Sequence, residues 1–269
     1  MSSFHVRHDL TPQMARETLL LLVARPLADS GELVVRARAR DFDIGRRSSP
    51  DKVIASLRDL GLIERPQTHG QQLALTPLGN HIADVAVRDS LLMAELIHLR
   101  YVSLWTPEAG GAHFSWAYRT VADLLWDDAP TSIDTDRLVA TILASADHQF
   151  AARSVSFSSS SVLGILYWLR ALSPPCIHNG QFWRRSACSP EALALAIEGV
   201  QVASGRRLSA PIRLDSTAKE RVCRALLLDP VALDEMLADA EETVGLVRRN
   251  GDGGEIVLLR ESALPGLMY

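Results

Sequence analysis

The sequence predicts a mainly α-helical protein with small β-hairpins. Apolar residues recur at spacings of three and four through most of the chain, which is typical of amphipathic helices. A proline follows Thr11, Ser49 and Thr76, and a polar cap before a proline is a typical helix start. Short apolar runs flank glycine-containing turns such as Asn250-Gly251, which indicates hairpins.

Composition bounds the domain number and the class of protein. A length of 269 residues favours more than one domain, and we divide the chain into residues 1–82, 83–150 and 151–269. The content of 47% hydrophobic and 22% charged residues excludes wholesale disorder. The apolar runs are too short to span a bilayer and the N-terminus has no apolar signal core, so we expect a cytoplasmic protein without a membrane segment. Three cysteines do not make a disulfide framework.

The first 45 residues are predicted to hold two helices with a short strand between them. The first helix begins at Thr11-Pro12 and ends near Arg25. A short strand at Glu32–Val34 and a short helix to Phe42 are expected next. Strict alternation over residues 35–40 favours a strand there, whereas alanine and arginine favour a helix.

The next stretch, to residue 79, predicts a helix followed by a hairpin and another helix. Ser49 is a suitable N-cap and Gly61 a suitable helix end. Residues 62–64 and 71–75 form the predicted strands, and Thr76 begins the next helix. The apolar face of the middle helix comprises Val53, Ile54, Leu57 and Leu60.

This order of elements is that of a winged helix-turn-helix. The segments "VIASLRDLGLIER" and "LALTPLG" resemble the winged helix-turn-helix domain of bacterial transcriptional regulators, over roughly residues 10–82. The resemblance implies a recognition helix over residues 49–60 and a β-wing after it. It specifies the fold and leaves the ligand open.

The remainder of the chain predicts helices and two further hairpins. The segment 160–172 can be laid on residues 48–60 without a gap, and a strand-turn-strand pattern follows it. A helix over Pro230–Thr243 precedes a third hairpin. We therefore expect a helical body with further winged-helix-like units.

A second resemblance concerns this body. The stretch Leu92–His98 has the pattern L-x-x-x-L-I-H, and "SFSSSSVLGILYWL" is a serine-rich helix. With the head "VIASLRDLGLI", these features resemble an uncharacterised bacterial family encoded beside phosphorothioate-modification and other phage-defence genes. The family's N-terminal Gly-His-Glu-Thr-Phe block is represented here only by "FHVRHDLTPQM". Membership implies a role with other defence-system subunits.

Polar and basic residues around the predicted recognition helix suit a contact with double-stranded DNA. Residues 1–80 hold 11 Lys/Arg against 9 Asp/Glu, whereas the remainder holds 17 against 23. Asp51 and Asp59 repel phosphate and favour a structural or protein-binding role. The run Arg36, Arg38 and Arg40 suits either the DNA backbone or solvent. The predicted DNA-binding residues are Arg46, Arg47, Ser48, Ser49, Lys52, Ser56, Arg65, His69 and Gln71.

No other motif predicts a site. Cys176, His178 and Cys188 offer three zinc-type ligands without a fourth, so we favour ordinary loop residues. His5 and His8 have a His-x-x-His spacing in a terminal segment, which is weak evidence for metal. The serine run suits a helix N-cap at Ser160 or Ser161 better than a nucleophile, since no Gly-x-Ser-x-Gly pattern is present. We expect no metal and no cofactor.

Three hypotheses follow. The first is a non-enzymatic DNA-binding protein, acting as a transcriptional regulator or as the DNA-binding subunit of a phage-defence or DNA-modification system, and expected to be a homodimer. The alternative is an adaptor whose winged helices dock other subunits of an assembly. An enzyme is the hypothesis with the least support.

Overall fold

The computed structural model describes residues 4–27, 29–46, 48–65, 72–106, 110–150, 156–205, 212–243, 246–251, 254–259 and 267. Eleven helices lie in these ranges: α1 Pro12–Ala24, α2 Ser30–Ala39, α3 Pro50–Asp59, α4 Pro77–Arg88, α5 Ser90–Ser103, α6 His113–Asp127, α7 Thr135–Phe150, α8 Ser159–Arg170, α9 Pro190–Ala203, α10 Ser216–Leu226 and α11 Leu233–Thr243. The strands are β1 Trp105–Thr106, β2 Gly110–Gly111, β3 Thr131–Ser132, β4 Ile177–His178, β5 Gln181–Phe182, β6 Ile212–Leu214, β7 Leu246–Gly251 and β8 Gly254–Leu259. The predicted fold class, mainly helical with small hairpins, is confirmed.

The predicted helix boundaries around α1, α3 and α4 are confirmed. The Thr11 hydroxyl accepts a hydrogen bond from the Met14 amide, and the Thr76 hydroxyl accepts one from the Gly79 amide. Ser49 precedes α3, although its side chain makes no capping bond. After α3 the chain turns through Gly61 at φ 75°, and the Leu62 amide donates to the Leu57 carbonyl at 2.8 Å. This Schellman motif requires the left-handed conformation that glycine adopts without strain.

The strand predicted at Glu32–Val34 is wrong, because α2 runs without interruption through these residues. The Asp29 carboxylate accepts a 2.8 Å hydrogen bond from the Glu32 amide and so caps the helix. Glu32 also pairs with Arg36 one turn later, at 3.0 Å. The cap and this pair favour the helix over the alternating pattern. The β-bridge in this part of the chain lies before α2, where Leu27 pairs with Leu73.

The N-cap of α8 also differs from the prediction. The helix begins at Ser159, and Ser158 is the cap residue, so Ser160 and Ser161 lie inside the first turn. Several serines in a row leave the cap position ambiguous by two or three residues. The helix α7 is capped by Asp134, whose carboxylate accepts hydrogen bonds from the Asp136 and Arg137 amides at 3.0 Å.

One order of elements recurs three times along the chain. Each unit contains a helix, a strand or bridge, two helices and two further strands or bridges. The first unit runs from α1 to the bridge at Leu75, the second from α6 to β5, and the third from α9 to β8. In the second unit β5 lies between β3 and β4, and in the third unit β8 lies between β6 and β7. In the first unit Leu27 bridges Leu73 and Ile63 bridges Leu75, which is the same pairing order. The predicted hairpins after α8 and α11 are therefore present, and the second unit spans the predicted boundary at residue 150.

This order is the one that the winged-helix interpretation requires of the first unit. Residues 66–71, at the tip of its predicted wing, lie outside the described part of the chain. The winged-helix assignment therefore stays an interpretation of the topology. The helices α4 and α5 connect the first unit to the second, and α5 is buried along most of its length.

Charged and polar side chains of α5 connect the units to one another. Arg100 donates from Nε to the Leu60 carbonyl at 3.0 Å and from Nη1 to the Leu267 carbonyl at 2.7 Å. Glu95 forms a buried ion pair with Arg185. Buried charges require such partners, because an unpaired one costs several kcal/mol. We infer that α5 holds the three units in a fixed arrangement.

His98 is a buried, neutral member of this helix. Its Nδ1 lies 2.8 Å from the Tyr118 hydroxyl and its Nε2 lies 2.9 Å from the Ala225 carbonyl. Because a carbonyl can only accept, Nε2 carries the proton and Nδ1 accepts from the tyrosine. Burial, with a smaller effect of the Arg185 charge, lowers the pKa of His98 from 6.5 to about 3.

We expect this histidine to make folding stability depend on pH. The unfolded state binds a proton near pH 6.5 and the folded state does not until about pH 3. The stabilisation is therefore complete above pH 6.5 and declines as the pH falls, by up to roughly 1.4 kcal/mol per pH unit. Urea unfolding between pH 7 and pH 4 measures this slope. The variant His98→Gln should show a shallower slope; an unchanged slope would contradict the assignment.

Candidate nucleic-acid interface

The segment 36–52 joins the end of α2 to the start of α3 and carries an excess of positive charge. It contains six arginine or lysine residues against three aspartates. We call it the basic turn. Such a cluster between the two helices of a helix-turn-helix lies where that motif approaches the DNA backbone.

Several guanidinium groups of the basic turn face solvent. Arg38 and Arg40 are exposed. Arg46 is exposed as well and forms a 2.8 Å ion pair with Asp41, with side-chain exposures of 51% and 86%. Arg36 is half-buried against Glu32, and Arg47 lies outside the described residues. A pair as exposed as Arg46–Asp41 contributes little stability, so its arginine can exchange the carboxylate for a phosphate at small cost.

The start of α3 is open to solvent on one side only. Ser48 and Ser49 are half-exposed, and the Ser48 hydroxyl lies 3.4 Å from the Met14 sulfur. Lys52 is exposed but lies 3.4 Å from the carboxylate of Asp9, whose side chain is only 12% exposed. The lysine charge is therefore partly compensated by a group that the fold holds in place.

Ser56 is not part of an open face, which corrects its assignment to the DNA-binding residues. Its side chain is buried and its hydroxyl donates to the Lys52 carbonyl at 2.8 Å. Ser56 lies three residues after Val53 and four before Leu60, so it shares their side of the helix. Because serine is a polar residue, nothing in the sequence indicated that this position is buried.

The N-terminal segment, residues 4–10, covers the second half of α3. Arg7 forms a 2.8 Å ion pair with Asp59. Phe4, Val6 and Leu10 of this segment are buried in the core. The face predicted to enter the major groove is thus occupied over its last turn by the protein's own chain.

The helix α8 holds this segment from the other side. The Trp168 indole donates to the Leu10 carbonyl at 3.0 Å, and His5 lies 3.0 Å from the Ser161 hydroxyl. A Cβ on Gly164 would lie 2.8 Å from the Val6 carbonyl oxygen, so α8 approaches the backbone as closely as a glycine permits. These buried contacts make the N-terminal segment an integral part of the core.

The remaining predicted interface residues belong to the wing. Arg65 is exposed two residues after the bridge at Ile63, whereas His69 and Gln71 lie outside the described residues. Arg58 donates to the Glu64 carbonyl at 3.3 Å. Of the predicted residues, Arg46, Ser48, Ser49 and Lys52 thus lie just before α3 or in its first turn, and Arg65 lies after α3.

The cysteine–histidine loop is an ordinary part of the fold around β4. The Cys176 thiol is buried and donates to the Leu169 carbonyl, and burial raises its pKa to about 12. The pKa of Cys188 is raised to about 12 as well, chiefly by burial. His178 bonds to the Pro175 carbonyl at 2.8 Å. Over the described ranges no group of three or more metal-binding side chains converges.

Among the helices described above, none has the length and hydropathy that a membrane-spanning segment needs.

Serines in and before the start of α8 contact a histidine, and this contact was not predicted from the sequence. His5 lies 2.7 Å from the Ser156 hydroxyl as well as 3.0 Å from that of Ser161. Ser161 is buried. Both ring nitrogens of His5 thus face serine hydroxyls within the fold, which makes them a link between the N-terminal segment and α8. The separation of more than 150 residues gave no signal in the sequence.

Comparison with known proteins identifies the fold. No protein-family model and no curated protein matches the sequence. Two solved structures match it: the magnesium ion-bound SspB crystal structure, with a TM-score of 0.62 and 11% identity, and the SspB crystal structure, with a TM-score of 0.58 and 12% identity. In each case the match covers 99% of this chain and 86% of the other. At this identity the likeness shows a shared fold over the whole chain.

Proposed function

We propose that this protein is the DNA-binding subunit of a DNA-modification or phage-defence system. It holds double-stranded DNA through phosphate contacts made by the basic turn. The observation that carries the proposal is the exposure of Arg38, Arg40 and Arg46 at the junction of two helices in a helix-turn-helix arrangement. Each phosphate that an arginine neutralises releases counterions, which supplies most of the affinity for duplex DNA.

In the first unit a basic segment, the basic turn, precedes the third helix, although α3 itself carries two basic and two acidic residues. The equivalent helix of the third unit, α11, carries five aspartate or glutamate residues and no arginine or lysine. Phosphate would be repelled by α11, so we assign duplex binding to the first unit and not to the third.

The buried half of α3 favours backbone binding over sequence reading. Base readout needs several side chains of a recognition helix to reach the groove edges. Ser56 is buried and Asp59 pairs with Arg7, so only the start of α3 is available. A protein that holds DNA with little sequence preference suits a modification or defence subunit better than a transcriptional regulator.

The comparisons support the same setting. The similarity to SspB is compatible with a defence-related DNA-modification subunit. The sequence resemblance to proteins encoded beside phosphorothioate-modification genes rests on separate evidence. This evidence is the segment "VIASLRDLGLI" and the serine-rich helix. Both support the proposal that the protein is a subunit of a modification or defence system.

The second candidate function is a docking subunit. Two observations favour this function. The helix α11 is acidic, and Trp183, next to β5, is 46% exposed. Aromatic residues are enriched where proteins bind each other. A protein that binds partner subunits and retains no DNA would select this alternative.

Duplex binding measured over a salt series tests the proposal. Three to four phosphate contacts predict that log K falls against log salt with a slope of roughly −3 to −4. Fluorescence anisotropy with a blunt 20-base-pair duplex between 50 and 400 mM NaCl gives this slope. The affinities of unrelated duplex sequences should agree within about threefold. Absence of binding at 50 mM salt, or a slope near zero, would overturn the proposal.

A further inference from the structure

A groove runs between the first unit and α8. One end is a cleft of about 560 Å³ lined by the N-terminal segment, the start of α1, Ser48 and the last turn of α8. A second cleft of about 460 Å³ shares Pro12, Gln13 and Arg170 with it and extends to the start of α5 and to residues 172–175. The two clefts form one continuous depression, which we call the interunit groove.

The walls of the interunit groove combine an exposed aromatic ring with cations. Tyr167 of α8 is 38% exposed although it lies on a largely buried helix. Arg170 is exposed three residues later, on the same side of α8. Arg16 lines the far end and donates from Nε to the Ala86 carbonyl at 3.1 Å, which leaves its terminal nitrogens for other acceptors.

Hydrogen-bonding groups and one carboxylate complete the lining. His8, Gln13 and Ser48 line the first cleft. The carboxylate, Asp9, is only 12% exposed and lies 3.4 Å from Lys52. Its charge is therefore compensated from outside the groove, and the two arginines give the lining a positive balance.

These properties suit a single nucleic-acid strand. Proteins that hold single strands combine a positive groove with aromatic side chains on which bases stack. Tyr167 offers the ring, while Arg170 and Arg16 offer phosphate contacts at successive positions along the depression. An acidic peptide would use the arginines equally well but would gain little from the exposed ring.

The position of the groove relative to the basic turn supports the same occupant. Ser48 belongs both to the basic turn and to the lining of the first cleft. A strand that separates from a duplex held on the basic turn would therefore reach the interunit groove at Ser48. Duplex and single strand would be bound side by side.

We propose that the interunit groove binds a single-stranded segment of DNA next to the duplex held by the basic turn. The adjacency rests on the proposed function, whereas the binding of the strand itself does not. Stacking on Tyr167 and contacts to Arg170 and Arg16 then add affinity for DNA with an unpaired arm over fully paired DNA.

The test compares a blunt duplex with the same duplex carrying one unpaired arm of eight thymidines. We expect the forked DNA to bind at least about fivefold more tightly, the lower limit for one base–aromatic stack. The variant Tyr167→Ala should remove this advantage and leave the blunt-duplex affinity unchanged, and Tyr167→Phe should retain it. Trp183→Ala, which removes another exposed aromatic ring, is the matched control and should change neither affinity.

The outcomes separate this proposal from the duplex assignment. Equal affinity for forked and blunt DNA, or an advantage that survives Tyr167→Ala, would overturn the groove proposal and leave duplex binding standing. Binding of a thymidine oligonucleotide that depends on Tyr167, without any duplex binding, would refute the proposed function and support the groove. Binding of an acidic peptide that is lost in Arg170→Glu, with no change in that variant towards any DNA, would assign the groove to a protein partner.

Discussion

Reversing the charges of Arg46 and Arg47 together is expected to weaken duplex binding by roughly a hundredfold or more. At physiological salt each phosphate contact is worth about fivefold in affinity, so loss of two contacts gives about twenty-five-fold, and the new negative charges add repulsion. The double variant Arg46→Glu/Arg47→Glu should also reduce the salt slope by about two. Fluorescence anisotropy with the blunt duplex measures both quantities.

The same variant should remain folded. Within the described part of the chain Arg46 pairs with the exposed Asp41, and a surface pair of this kind is worth at most about 1 kcal/mol. The matched control is Arg137→Glu/Arg213→Glu, which changes net charge equally at two exposed arginines outside the basic turn. Equal losses of affinity in the two variants would show that overall charge, and not the basic turn, governs DNA binding.

Replacing Arg185 by alanine is expected to cost about 3–5 kcal/mol of folding stability, the typical cost of breaking a buried ion pair. The Arg185 side chain is fully buried, and it pairs with Glu95. It also donates to the carbonyls of Ser173, Pro174 and Leu226. In the variant the Glu95 carboxylate loses its cation and keeps the Ser189 amide, 3.0 Å away, as a hydrogen-bond donor. The three carbonyls also lose the guanidinium that donates to them. Urea denaturation followed by circular dichroism measures the loss.

A double variant distinguishes the ion pair from simple loss of packing. In Arg185→Met/Glu95→Leu no charge remains buried, so we expect it to be more stable than Arg185→Ala alone. Arg137→Ala removes an exposed arginine that pairs with Asp128, and it should change stability by less than about 1 kcal/mol. If Arg185→Ala were as mild as this control, the pair would not hold the units together.

Local signals in the sequence predicted most of the helices and hairpins. The Thr-Pro and Ser-Pro pairs at the starts of α1, α3 and α4 fix those helices through caps and proline geometry. The repeat of segment 48–60 at 160–172 pointed to a common topology, because α3 and α8 occupy equivalent places in their units. The strand predicted at Glu32–Val34 is wrong because Asp29 caps a helix that runs through these residues.

The parts of the site that the sequence missed depend on contacts between distant residues. The N-terminal segment reaches α3 through Arg7–Asp59 and α8 through His5–Ser161, and neither pair has a local pattern. The burial of Ser56 follows from that covering. The interunit groove likewise arises only when α8 is placed beside α1. A charge pattern along the chain can identify a basic turn, but only the packing decides which of its residues face solvent.

The proposed function requires that the basic turn is the surface that holds the duplex. Hydrogen–deuterium exchange of the whole protein, with and without a saturating blunt duplex, tests this most directly. We predict slower exchange in peptides that cover residues 36–52, and no change in peptides from α11 and the β7–β8 hairpin. Protection confined to the third unit, with unchanged exchange over residues 36–52, would contradict the proposed function.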